Sequence, residues 1–69
     1  MGNLSFQEKM TIQLMRNKQA GLSPRTQADI ANKFGLSRMY VGTVIKEIQH
    51  GKKADEWRKK FAEYAGMKM

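Results

Sequence analysis

TQADIANKFGLSRMYVGTVIK, residues 26–46, is the stretch whose reading decides the fold. It divides at Gly35 into two short apolar-periodic segments. Thr26 suits a helix N-cap, Asp29 stands at the third helical position, and Pro24 presets the chain just before. These signals predict a helix from Gln27 to Phe34, with Ile30, Ala31 and Phe34 on its buried edge. Gly35 ends it, because the chain must turn sharply there through a positive φ. Ser37 then caps a second helix expected to run to about His50, with Gly51 as its stop. At about 100° per residue the faces of this helix separate. Val41, Val44, Ile45 and Ile48 fall on one side, and Met39, Gly42, Thr43 and Lys46 on the other. Arg38 and Tyr40 flank the boundary.

Outward from this core, two more helices are signalled. Ser5 and Glu8 form a capping box for a helix from Phe6 to about Gln19, stopped by Gly21. Phe6, Met10 and Leu14 make its apolar stripe, while Ile12 and Met15 sit on a different side. A last helix is expected over Ala54 to Ala65, with Gly66 as its stop and Trp57, Phe61 and Tyr64 on one aromatic face. Residues 67–69 are expected to fray. The pattern is all-α, one small domain over residues 1–69, without repeats or a long linker.

Composition narrows the chemistry. The 69 residues hold no cysteine, so there is neither a disulfide nor a thiol nucleophile, which fits a reducing, cytoplasmic setting. One histidine cannot build a metal site alone, and no catalytic set or phosphate-cradling loop is present; neither enzyme activity, cofactor nor metal is expected. Thirteen Lys+Arg against six Asp+Glu give a net charge of +7. Residues 52–69 are the densest part, with six basic and three acidic side chains. Such a chain favours polyanions, nucleic acid ahead of an anionic membrane surface. No run approaches the roughly 18 apolar residues of a membrane span, and the start of the chain is unlike a signal peptide. Residues 1–5 echo a myristoylation pattern, but Phe6 stands where that pattern has Ser or Thr.

Residues 26–46 resemble the helix-turn-helix of small bacterial and bacteriophage DNA-binding proteins. Ala31 stands where that family needs a small residue at the helix crossing, and Gly35 stands at the turn. Ile30, Phe34, Leu36, Val41 and Val44 fill its buried positions. The resemblance covers about a third of the chain. It implies a sequence-specific binder of double-stranded DNA, a small transcriptional regulator of the phage or mobile-element kind, with no small-molecule effector. It implies a major-groove helix whose base readers are Ser37, Arg38, Met39 and Thr43. Arg38 would pair with guanine and Met39 would pack on a thymine methyl. Gln27, Lys46, Lys52 and Lys53 would hold phosphates. Gly42 departs from the pattern, since the family often carries a contacting side chain there.

Plainer readings stand beside these. Arg38 and Lys46 could be solvated charges, and Met39 a protein contact. His50 reads as an exposed or capping residue, and Trp57, Phe61 and Tyr64 as a packing or dimer face rather than a base-stacking platform. The last helix could cover the Ile12/Met15 side of the first helix within one chain, or the same surfaces could join two chains. A homodimer is favoured, because single units of this kind usually need one for useful affinity. The competing functions are a protein-interaction module, acting as inhibitor or adaptor, and a DNA-binding accessory factor in recombination or replication.

Overall fold

Three of the four helices begin where a side chain can close the first turn. A computed structural model describes residues 4–67; the pattern at Gly2 and the last two residues lie outside that range. Within it the chain forms α1 (Phe6–Ala20), α2 (Gln27–Phe34), α3 (Arg38–Ile45) and α4 (Lys52–Ala65), with no strand among the described residues. Ser5 and Thr26 form reciprocal capping boxes with Glu8 and Asp29. Ser37 Oγ accepts from the Tyr40 amide at 3.0 Å. Gly21 and Gly35 take the left-handed conformation expected of them, at φ 72° and 67°. Residues 35–37 join α2 to α3.

The exit of α3 departs from expectation. The helix ends at Ile45, well short of His50. Glu47 adopts φ 62°, its amide donating to Val44 O at 3.1 Å and that of Ile48 to Thr43 O at 3.0 Å. This is the glycine-type helix stop with a glutamate in the left-handed position. The side chain offsets part of that strain: Glu47 Oε1 accepts from the Phe6 amide at 3.1 Å, placing a carboxylate on an open donor at the start of α1. Ile48, expected on the buried face, is thereby swung out and is 61% exposed. Gly51 does not stop α3. It precedes α4 at φ 104°, and α4 starts at Lys52, two residues before Ala54.

One core draws on every helix: Met10 and Leu14 from α1, Ile30 and Ala31 from α2, Val41, Val44 and Ile45 from α3, Phe61 and Ala65 from α4. The aromatic face of α4 closes within the same chain. It does not cover Ile12 and Met15, as a one-chain arrangement was expected to require; it gathers around Phe34 of α2. The Phe34 ring centroid lies 5.6, 5.5 and 5.8 Å from those of Trp57, Phe61 and Tyr64. Fully burying a ring such as that of Phe61 contributes roughly 1.5–3 kcal/mol, and the partly buried rings around it add to that, a large share in so small a core. Trp57, Phe61 and Tyr64 are therefore packing residues inside one molecule, and Ile12 and Met15 stay exposed.

Two polar side chains lock this arrangement. Asn17 is 4% exposed; its Nδ2 donates to Pro24 O and Ala65 O, both at 3.0 Å, and its Oδ1 accepts from Gln13 Nε2 at 3.0 Å. One amide thus joins α1, the loop before α2 and the end of α4. Arg58 Nη1 donates to Val44 O and Gln49 O, each at 3.1 Å, and Nη2 pairs with Asp55. An arginine on α4 thereby closes the open carbonyl end of α3. The far end of the described chain is held too. The Met67 amide donates to Ala62 O at 2.9 Å and its side chain packs on the core, so the fraying expected from residue 67 does not begin there.

Candidate functional site

The start of α2 and the outer face of α3 face each other across an open concavity. Gln27 enters it from α2's first turn; Arg38, Met39, Gly42, Thr43 and Lys46 enter it from α3. Local folding explains why they meet. The Thr26–Asp29 box fixes where α2 begins, and Asp29 Oδ2 also accepts from the Arg25 amide at 2.8 Å, drawing that carboxylate back onto the loop. The short turn at residues 35–37 then sets α3 against α2. The two helices come close at Gly42, where an added Cβ would lie 3.5 Å from Gln27 Oε1, an ordinary contact distance.

Two cations and no carboxylate line this concavity. Glu47, next in sequence to Lys46, has its carboxylate committed to α1. Met39 stands out into solvent at 81% exposure, the largest value among the exposed large hydrophobics. Neither Arg38 nor Lys46 makes a salt bridge among the described residues. Thr43 has already spent its hydroxyl proton: Oγ1 donates to Tyr40 O at 2.8 Å, leaving its lone pairs and methyl for any ligand.

The residues singled out in the sequence do not all converge. Gln27, Arg38, Met39, Thr43 and Lys46 share the concavity. Ser37 and Lys53 line a separate one on the other side of the start of α3, beside Tyr40 and Trp57. Lys52 is exposed at the start of α4 and lines neither. Thr26, Ala28 and Ile48 join the first concavity without having been expected there. Thr26 and Ala28 flank Gln27 and were legible from it. Ile48 was not, because its place depends on α3 stopping early.

Two cations beside the aromatic cluster, Lys33 on α2 and Lys60 on α4, are spent differently. Lys60 Nζ lies 4.8 Å from the Trp57 ring centroid and Lys33 Nζ 5.6 Å from that of Tyr64, so both ammonium groups cover the outer edge of the aromatic cluster. Among the described residues no helix is long and apolar enough to cross a membrane. No protein family, characterised protein or solved structure matches the chain.

Proposed function

We propose that the protein binds double-stranded DNA in a sequence-specific manner and acts as a small transcriptional regulator, α2 and α3 forming a helix-turn-helix with α3 in the major groove. The observation that carries this reading is the convergence of Gln27, Arg38, Met39, Thr43 and Lys46 on one acid-free concavity. Dimensions support it as well. An α-helix with its side chains is about 10–12 Å across, which fits the roughly 12 Å width of the groove. Arg38 and Met39, on the first turn of α3, reach base edges: the guanidinium pairs with guanine, the thioether packs on a thymine methyl. Thr43 accepts from an exocyclic amine. Gln27, at the positive end of α2, and Lys46 hold phosphates on one side, and Lys53 serves the other strand.

The test is selection from a random duplex pool at near-physiological salt. An enriched motif is expected, and Arg38→Ala should cost about 1–3 kcal/mol of affinity and relax choice at one base pair. Lys46→Ala should weaken all sequences alike and flatten the salt dependence by about one phosphate. A folded protein that enriches nothing would remove the DNA reading. It would favour a protein-interaction module using exposed Met39 and Ile48.

A further inference from the structure

A groove runs where α1 passes the end of α4. Lys9, Ile12, Gln13 and Arg16 line it from α1, Leu4 from the approach to that helix, and Met67 from just beyond α4. It shares no residue with the concavity between α2 and α3. Spacing explains why the α1 side chains meet. Lys9 and Arg16 are seven positions apart, so at about 100° per residue they fall within about 20° of each other, with Ile12 and Gln13 to either side. Glu8 and Met15 are turned away by about 100°. The floor is fixed by hydrogen bonds. Gln13 Nε2 donates to Asn17 Oδ1 and Asn17 Nδ2 to Ala65 O, both at 3.0 Å, and the Met67 amide to Ala62 O at 2.9 Å. Ile12 and Leu4 nevertheless stand 39% and 44% exposed. No carboxylate lines the groove, and neither Lys9 nor Arg16 makes a salt bridge among the described residues.

Charge and apolarity together select an occupant. A phosphate backbone would satisfy the two cations and leave Leu4, Ile12 and Met67 without a partner. A second copy of the chain is a poor match. Of the six acidic residues, Glu8, Asp29, Glu47 and Asp55 are already bonded within the chain. Glu56 and Glu63 remain, and Lys59 and Lys60 stand between them, setting ammonium groups where an apolar side chain is needed. We propose that this groove docks an acidic amphipathic helix of another protein. Two carboxylates seven residues apart on that helix pair with Lys9 and Arg16, which lie about 10 Å apart along α1. Apolar side chains three and four residues after the first carboxylate share its face and pack on Ile12, between Leu4 and Met67. The proposal goes beyond the DNA reading and does not rest on it. With both in force, the protein engages a partner through α1 while α3 stays on DNA.

An NMR titration of the isotope-labelled full chain tests it. The probe is a helical peptide of about 15 residues, with two glutamates seven positions apart, leucines three and four positions after the first, and alanine and glutamine elsewhere. Amide shifts are expected at Ile12, Gln13, Arg16 and Met67 and not at Gly42 or Thr43. The dissociation constant should be on the order of 100 μM, since exposed ion pairs add little to one apolar contact. Replacing both peptide leucines by glutamine should weaken binding about tenfold, which attraction by net charge alone would not do. Lys9→Glu/Arg16→Glu, shown to be folded by circular dichroism, should weaken it about tenfold or more, and should bind a peptide with lysines in place of the glutamates better than the wild type does. Lys9→Gln/Arg16→Gln, which removes the charges without reversing them, should fall between. Arg38→Glu/Lys46→Glu makes the same change in net charge and should stay within about twofold of the wild type. No shift at about millimolar peptide, equal losses from the two glutamate variants, or a leucine-free peptide that binds as well would overturn the proposal. So would shifts at these residues from duplex DNA or phosphatidylserine-containing vesicles and none from the peptide. Peptide binding with no enriched DNA motif would leave the groove standing and remove the proposed function; an enriched motif with no peptide shift would do the reverse.

Discussion

α3 and α4 carry similar residues and use them in opposite ways. Each has a large apolar side chain next to an arginine, Met39 beside Arg38 and Trp57 beside Arg58. On α4, Trp57 and Phe61 turn onto Phe34, and Arg58, with its side chain 12% exposed, is bonded to two carbonyls and a carboxylate. On α3, Met39 points to solvent and Arg38 has no salt-bridge partner among the described residues. Residue type alone does not separate the two helices. What separates them is whether the rest of the chain has claimed their side chains, and α3 is the helix with side chains still available to a ligand.

That contrast can be broken most severely at Phe61. Phe61→Ala should destabilise the fold by about 3–5 kcal/mol, enough to unfold much of a domain this small, as read by a urea titration. A loss below about 1 kcal/mol would mean that the aromatic cluster does not hold α4 in place. The paired arginines come next. Arg58→Ala strips the donor from Val44 O and Gln49 O and should cost about 1–3 kcal/mol of stability. Arg38→Ala should stay within about 0.5 kcal/mol on the same titration, its effect appearing only on DNA. Equal losses at the two positions would erase the distinction between the helices.

A smaller effect is expected at Gly42. Alanine there meets Gln27 at an ordinary distance and removes a glycine from a helix interior, so the melting temperature should rise by the equivalent of about 0.5–1 kcal/mol. A fall would show that Gln27 cannot yield to the added methyl. The smallest effect concerns acid. The Ser5 amide, which donates to Glu8 Oε1 at 3.1 Å, and after it the Ser5 side chain hold the Glu8 carboxyl below its ordinary value of 4.5. A lowered carboxyl pKa stabilises the fold above the unfolded value, and that contribution disappears as pH falls through the folded one. The melting-temperature gap between wild type and Glu8→Gln should therefore narrow on acidification below about pH 4.5. A constant gap would assign the difference to something other than the charge of Glu8.

Much of this was legible locally. The limits of α2 were readable to the residue, because Thr26, Asp29 and Gly35 act through bonds within a few positions. The concavity followed in part, since Gln27, Arg38, Met39, Thr43 and Lys46 sit at spacings a short turn brings together. What was hidden depends on distant partners. Asn17 looks like any helix-surface amide, yet Ala65, one of the groups it bonds, is 48 residues away. Periodicity identified the aromatic face of α4 but not Phe34 as what covers it. The early end of α3 was masked twice: Ile48 continues the apolar repeat, and Gly51 offers a plausible stop, whereas the residue that turns the chain is a glutamate.

That glutamate has a consequence for how the sequence can vary. Glu47 lies on the surface, where substitution is ordinarily tolerated. Glycine would relax its backbone but abandon the amide of Phe6; other residues with longer side chains keep the strain, and most of them lose the bond as well. The position answers to two demands set 41 residues apart. It is open to solvent and still answers to a backbone and a side-chain requirement at once, so exposure alone is a poor guide to mutational tolerance at this corner of the molecule.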